Sequence, residues 1–287
     1  MKILNALPPC NLFGLEEQDY RKAKVVAVPV PYDSTTTYKA GTREGPHALI
    51  EASRNIELYS EETGSNISKI GIYTTEEIVP DVSSPENMIK RIEGEITPIL
   101  NDRKIPLLLG GEHTISLGSL RPIAKSKKRM TFLHFDAHSD SRDSLLGSKY
   151  CHACVLARAR ELCGTFSVGV RSIDEQSAKN DCDILYMKDA SEMGNEEIVK
   201  SILKNTEKDI YLSIDLDVLD PSEMPSVGTP EPDGFSFHQL KNIIKGVVPK
   251  RNVMGIDVVE LNPIPGLTAP NYLAAKLVYL TIGYSFA

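Results

Sequence analysis

Short apolar runs, many of them β-branched, alternate along this chain with longer stretches whose apolar residues recur at helical spacing. Lys24 to Val30 (KVVAVPV) reads as a buried strand that must end near Pro31, since proline removes a ladder donor. The turn Gly41-Thr42-Arg43-Glu44-Gly45-Pro46 comes next, and Pro46 suits the first turn of a helix predicted over His47 to Tyr59. Lys69 to Tyr73 reads as a minor strand. Met88, Ile89, Ile92, Ile96, Ile99 and Leu100 make one apolar face of a helix from Asn87 to Leu100. The same pattern predicts a strand at Ile105 to Leu109, a helix from Ser116 to about Lys125 and a strand at Met130 to Phe135. Then come a helix over Cys151 to Leu162 and strands at Thr165 to Val170 and Ile184 to Met187. A helix at Glu196 to Leu203, a strand at Asp209 to Ile214 and a helix at Ser236 to Gly246 lead to the last strand, Val253 to Val259, and a final helix, Asn271 to Tyr284. Such alternation belongs to the α/β class, a parallel sheet with helices on both faces. No repeat, low-complexity tract or Gly/Ser linker divides the 287 residues, so residues 1–287 read as one domain.

In that architecture ligands gather past the carboxyl ends of the strands, and three polar clusters fall there. Asp136, His138 and Asp140 follow Phe132 to Phe135 at i, i+2 and i+4, a spacing that projects all three to one side of an extended segment. Gly110-Gly111-Glu112-His113 follows the strand at Ile105, and Asp215-Leu216-Asp217 closes the strand at Ile210. Taken singly, His113 is more often a local hydrogen-bonding residue than a ligand, and Asp215 with Asp217 is as readily a turn cap ahead of Asp220-Pro221. Taken together, His113, Asp136, His138, Asp140, Asp215 and Asp217 suffice for a two-metal centre. Four carboxylates and two neutral imidazoles sum to about −4, which two divalent cations cancel; buried and alone, each carboxylate costs several kcal/mol. Oxygen donors mixed with imidazole favour manganese, with iron, cobalt or zinc as substitutes. Two such ions roughly 3.5 Å apart lower the pKa of a shared water from near 16 toward neutrality, so the predicted reaction is a hydrolysis.

Composition narrows the partners. An apolar fraction of 41% and a charged fraction of 25% are ordinary for a soluble globular chain. A net charge of −7 without a basic block argues against nucleic acid or an anionic membrane as partner and suits a small cationic substrate. Met1 to Tyr20 lacks the basic-then-apolar pattern of a signal peptide, and no apolar stretch approaches the roughly 18 residues of a membrane span, so the expected location is cytoplasmic. Five cysteines, at 10, 151, 154, 163 and 182, do not form a disulfide framework. Cys151-His152-Ala153-Cys154 has the spacing of a redox pair or half a zinc site; with no second Cys or His pair at zinc spacing, two small apolar fillers beside a histidine are the simpler account.

Six ordered motifs resemble the ureohydrolase family of arginases and agmatinases. They are Gly41-Thr42-Arg43-x-Gly45-Pro46, Gly110-Gly111-Glu112-His113-Thr114, Phe135-Asp136-Ala137-His138-Ser139-Asp140, the run from Ser213 to Pro221, the run from Gly228 to Gly234, and Asp257-Val258-Val259-Glu260-Leu261-Asn262-Pro263. The resemblance implies a three-layer α/β/α fold with a central, mainly parallel sheet. It implies two Mn²⁺ ions per chain on the six residues above, hydrolysis of a guanidino compound to urea and an amine, and assembly into trimers or hexamers. By the same resemblance Glu260 takes the guanidinium N–H groups, with Thr229 a neighbouring hydroxyl. Asp140 holds metal and also handles the proton that reaches the leaving amine, and His152 stands at a proton-shuttle position. Arginases carry an Asn-rich loop where this chain has Ser141-Arg142-Asp143 and Gly147-Ser148-Lys149-Tyr150, so the likeness is nearer to agmatinases, and the expected conversion is agmatine to putrescine and urea. Asp174 is open to two roles, partner of the distal ammonium or helix cap. Arg142 favours a guanidino acid if it points into the pocket and is neutral in the choice if it pairs with Asp143. The alternatives are an arginase or guanidino-acid hydrolase, a two-metal phosphoesterase, for which no Arg/Lys phosphate clamp is evident, and a non-catalytic metal-binding homologue.

Overall fold

Eight strands, all paired in parallel, cross the protein in the order β2-β1-β3-β8-β7-β4-β5-β6. They are β1 (Val25–Val30), β2 (Ile72–Thr74), β3 (Ile105–Gly110), β4 (Thr131–Phe135), β5 (Gly164–Val170), β6 (Ile184–Tyr186), β7 (Asp209–Asp215) and β8 (Asn252–Val259). The structure, a computed structural model, describes residues 9–180 and 183–287; Cys182 and residues 1–8 of the N-terminal segment discussed above lie outside the described residues. The outer strands β2 and β6 have three residues each, which shortens the unpaired edges of the sheet.

Period-two alternation sorts the strand side chains into two cores. Val25, Ala27, Leu107, Leu109, Leu133 and Phe135 point to one face, where α1 (Gly45–Ser53), α7 (Asn195–Asn205), α8 (Phe237–Val247) and α9 (Ala269–Ser285) cover them. Val26, Val28, Val30 and Leu108 point to the other, under α2 (Pro85–Asn101), and α3 (Ser116–Ser126) with α4 (Val155–Arg160) continues that layer over Phe132 and Tyr211. The short helices α5 (Glu175–Asn180) and α6 (Met187–Ala190) flank β6. Helix α2 forms where predicted: Ser84 caps it by accepting from Asn87 N–H, Pro85 occupies the first turn, and Met88, Ile89, Ile92, Ile96 and Ile99 are buried.

Three predicted elements are cut short, each for a local reason. Helix α1 ends at Ser53 rather than Tyr59, because the Ser53 hydroxyl bonds back to the Ile50 carbonyl and accepts the Phe13 N–H. A two-stranded hairpin, Tyr59–Ser60 with Ser65–Asn66, takes up the chain beyond it. The strand expected from Lys69 begins only at Ile72, after an Asn66-capped 3₁₀ turn that Gly71 leaves at φ 88°. The helix expected over Cys151 to Leu162 splits into a 3₁₀ turn at His152–Cys154 and α4, with Cys154 in non-helical backbone between them.

The hairpin loop is tied to α8 through Glu62, which accepts hydrogen bonds from Lys241 and, at 2.8 Å, from Lys245. Those two ammonium groups hold the Glu62 carboxyl at about 2 against its ordinary 4.5. The folded value is the depressed one, so this stabilisation is complete above pH 4.5 and is lost as pH falls through about 2. Glu62→Gln is therefore expected to destabilise the protein by about 1 kcal/mol at neutral pH. Denaturant titrations of both proteins at decreasing pH should show the gap closing; a gap that stays constant would contradict the assignment.

Candidate metal centre

Four adjacent central strands, β3, β8, β7 and β4, end at one place, and each delivers polar side chains there. The loop after β3 carries His113. Its approach depends on Gly111, where a Cβ would come within 1.9 Å of the Tyr32 carbonyl oxygen, closer than any side chain allows. The end of β7 supplies Asp215 and Asp217, β4 is followed by Asp136, His138 and Asp140, and β8 is followed by Glu260. Asp140 and Glu260 both adopt left-handed backbone, φ 49° and 66°, an uncommon conformation for side-chain-bearing residues that aims their carboxylates back over the strand ends.

The six candidate ligands converge. His113 Nδ1 lies 3.0 Å from Asp136 Oδ2, 3.1 Å from Asp215 Oδ2 and 3.4 Å from Asp140 Oδ2. His138 Nδ1 lies 2.8 Å from Asp217 Oδ2, and Asp217 Oδ1 accepts from Ala137 N–H at 3.0 Å. Two groups of donor atoms each fit within 4.8 Å of one another, His113 with His134, Asp136 and Asp140, and Asp136 with His138 and Asp217; Asp136 belongs to both. Asp215 is outside these two groups but faces His113 directly.

Several of these atoms are buried without a hydrogen-bond partner: His113 Nδ1, His134 Nε2 and Asp136 Oδ2. Buried polar atoms aimed at one another without bonding are costly unless a cation lies among them, and imidazole with carboxylate oxygen is a donor set for divalent transition ions. The residues therefore fit a dinuclear metal group. Their proton affinities agree. Burial first, then the Asp217 and Asp136 charges, pushes the Asp215 carboxyl well above its ordinary range, and burial with Asp136 raises Asp217. Burial works against a charged His113, yet Asp136, Asp140 and Asp215 together hold its pKa well up. Protons here compensate carboxylate charge, and a bound cation displaces them.

A cavity of about 390 Å³ opens above this floor. His138, Asp140, Asp215 and Asp217 line its base, and Arg142, His152, Asp174, Thr229 and Glu260 line its walls; His113 and Asp136 lie fully buried below. Arg142 faces Asp174, with Nε 3.7 Å from Oδ2, and not Asp143, which bonds Arg158 at 2.6 Å. Asp174 also caps α5, accepting from the backbone N–H groups of Gln176 and Ser177, each at 3.1 Å. Both roles considered for it thus compete for one carboxylate.

Some residues of the site escaped the sequence reading. His134 precedes Asp136 by two, so the alternation that selects Asp136, His138 and Asp140 extends back to it; its Nε2 is 2.8 Å from Asp136 Oδ2. Ser213 and Asp257 carry no such signal, being single polar residues within apolar strands. Ser213 O–H donates to Asp257 Oδ1 at 2.6 Å, so Ser213 Oγ accepts from His113 Nε2–H at 2.8 Å, which leaves Nδ1 as the nitrogen turned toward the carboxylates. Glu112 accepts from Thr35 N–H and Oγ1–H, both at 2.7 Å, and Thr35 in turn receives the His152 N–H at 3.1 Å, so a loop 117 residues upstream sets the shuttle candidate.

The profile of the arginase family matches residues 23–283. The chain is 34% identical to an N(1)-aminopropylagmatine ureohydrolase of Synechocystis over 92% of its length and 90% of the relative's. It is 30% identical to an agmatinase of Pyrococcus horikoshii, covering 93% and 94% of the two chains. Its fold superposes on the crystal structure of an agmatine ureohydrolase of Thermoplasma volcanium with a TM-score of 0.86 and 31% identity, over 93% and 92% of the chains.

The relay behind His113 is testable without any substrate. Ser213→Ala removes the acceptor for His113 Nε2–H and is expected to weaken the binding of one divalent ion about tenfold to a hundredfold while sparing the other. Calorimetric titration of the demetallated protein with Mn²⁺ measures this, and Ser213→Thr, which keeps the hydroxyl, should restore the affinity. Equal loss at both sites would contradict a local role.

Proposed function

This chain belongs to the arginase family and is a ureohydrolase with a metal-binding active site; from that premise we propose that it converts agmatine to putrescine and urea, using two Mn²⁺ ions. The observation that carries the choice of substrate is the pairing of Arg142 with Asp174 on the pocket wall. With its charge met there, Arg142 does not present a free cation to a substrate carboxylate, while Glu260 keeps a carboxylate oxygen turned into the cavity. A substrate with a cationic guanidinium end suits that arrangement.

His113, Asp136, His138, Asp140, Asp215 and Asp217 would hold the ions, with His134 against Asp136. When bound, the pair supplies Lewis-acid activation of water at neutral pH. Everything else falls to this chain's own side chains. Glu260 has one oxygen engaged by His113 N–H at 2.7 Å and turns the other toward the pocket beside Gly228. That free oxygen receives guanidinium N–H groups in a charge-assisted pair, and Thr229 next to it adds a hydroxyl. Burial raises the Glu260 carboxyl well above its ordinary value, and the nearby Glu112 raises it further, so a cationic substrate that restores its charged form is favoured. Asp140, at the base of the cavity, accepts the proton of the attacking water and returns it to the leaving amine. His152 stands on the wall between Thr35 and Thr37, with ring nitrogens 3.3 and 3.4 Å from their hydroxyls, and carries protons to solvent. A homo-oligomeric enzyme of polyamine synthesis completes the reading, on the strength of the family resemblance.

A second substrate is favoured by a specific finding. The Synechocystis relative is named for N(1)-aminopropylagmatine, and the cavity of about 390 Å³ leaves room for that longer cation.

Urea release from Mn²⁺-loaded protein should be fastest with agmatine or its aminopropyl derivative and slowest with arginine and guanidinobutyrate; faster turnover of either acid overturns the reading. Glu260→Gln should keep both ions by calorimetry yet lower kcat/KM for the preferred substrate about a hundredfold, chiefly through KM. Loss of an ion in that variant would move Glu260 from substrate binding to metal support.

A further inference from the structure

The 3₁₀ turn that carries His152 also holds two sulfurs. Cys151 and Cys154 are free thiols, both buried, with Sγ atoms 3.0 Å apart. Cys154 N–H donates to the Cys151 carbonyl at 3.0 Å, closing a four-residue turn. Turns of that kind keep their end Cα atoms within about 7 Å, and disulfides span Cα separations of about 4.4–6.8 Å. The backbone prerequisite for a bond is thus met, and the sulfurs need approach by only about 1 Å. The Cys151 S–H donates to the Cys154 sulfur, and this contact, ahead of burial, holds the Cys154 thiol below its ordinary value.

The turn is bonded into the site on two sides. His152 N–H donates to Thr35 Oγ1 at 3.1 Å. On the other side Arg142 N–H donates to the Ala153 carbonyl at 3.1 Å, and Leu156 N–H to the carbonyl of Asp140 at 2.9 Å. A contraction of the turn must therefore move His152 relative to Thr35, or pull on the segment from Asp140 to Arg142.

We propose that Cys151 and Cys154 form a redox modification site, which hydrogen peroxide converts to an intramolecular disulfide, and that the contracted turn displaces His152 and slows turnover. One sulfur attacks a peroxide oxygen and the O–O bond breaks, leaving a sulfenic acid and releasing the other oxygen as water. The second sulfur then attacks the first, the S–O bond breaks, and a second water leaves. Two electrons pass from the dithiol to the peroxide, and the two thiol protons depart in the waters. Both sulfurs are buried, so the oxidant must be small and the reaction proceeds through openings of the turn. The bond itself is independent of the function proposed above; its effect on turnover rests on the role assigned there to His152.

Full-length, Mn²⁺-loaded protein would be treated with hydrogen peroxide, quenched with catalase, alkylated and mapped by peptide mass spectrometry. The expected product has Cys151 and Cys154 joined, resistant to alkylation until dithiothreitol is added, with urea release from agmatine down about tenfold and restored on reduction. Carbethoxylation of His152 by diethylpyrocarbonate, followed by mass, should change rate between the two forms. Cys151→Ser and Cys154→Ser should each keep their urea release after peroxide. A dithiol that stays reduced while Cys10 is oxidised would sink the site. A disulfide with unaltered urea release and unaltered His152 labelling would sink its coupling to catalysis. If the untreated protein releases no urea from any guanidine, the functional reading fails alone, and mapping with His152 labelling still decides the redox site.

Discussion

Everything in this protein's active end answers to one electrostatic problem, the burial of four carboxylates within a few ångströms of three imidazoles, His113, His134 and His138. His113 and Asp136 are wholly enclosed, and Asp215, Asp217 and Asp140 nearly so. Such a cluster left to itself favours bound protons, on the carboxyls of Asp215 and Asp217, pushed up by burial, and on His113, held up by its carboxylate neighbours. Divalent cations relieve the charge while leaving all four carboxylates ionised. The metal requirement thus follows from burial, before any substrate is considered.

Holding that cluster in place takes a second tier of contacts. The relay from His113 through Ser213 to Asp257 runs between β3, β7 and β8, so a hydrogen bond inside the sheet decides which nitrogen faces the carboxylate cluster. Glu260 N–H donates to the Gly111 carbonyl while its side chain accepts from His113, which locks the two loops together despite the left-handed backbone at Glu260. The pocket wall is steadied the same way, from Glu112 through Thr35 to His152. The pocket-facing Glu260 is therefore mounted on a loop tied directly to the one that carries the candidate ligand His113.

Much of this was legible in the chain. Strand and helix positions follow from period two and period 3.6, and the polar residues at strand ends announce a site because nothing apolar explains them there. What stayed hidden depends on tertiary partners. Ser213 and Asp257 look like ordinary interruptions of apolar strands until β7 and β8 pair. Arg142 could be weighed only against its neighbour Asp143, since the turn that brings Asp174 close is set by β5 and α5. The break at Cys154 was invisible because the Leu156 N–H is claimed by Asp140, a residue outside the helix pattern. His134 is different: its signal was present in the alternation, one step beyond where the motif seemed to begin.

The strand order carries a consequence for biosynthesis. Strand β8, the last to be made, lies between β3 and β7 at the middle of the sheet. Until it emerges from the ribosome, the nascent chain can offer only two half-sheets, β2-β1-β3 and β7-β4-β5-β6, each with a long apolar margin unpaired. The final segment acts as a keystone: it joins the halves, brings Glu260 over the ligands, and ends the interval in which those margins are exposed to other chains.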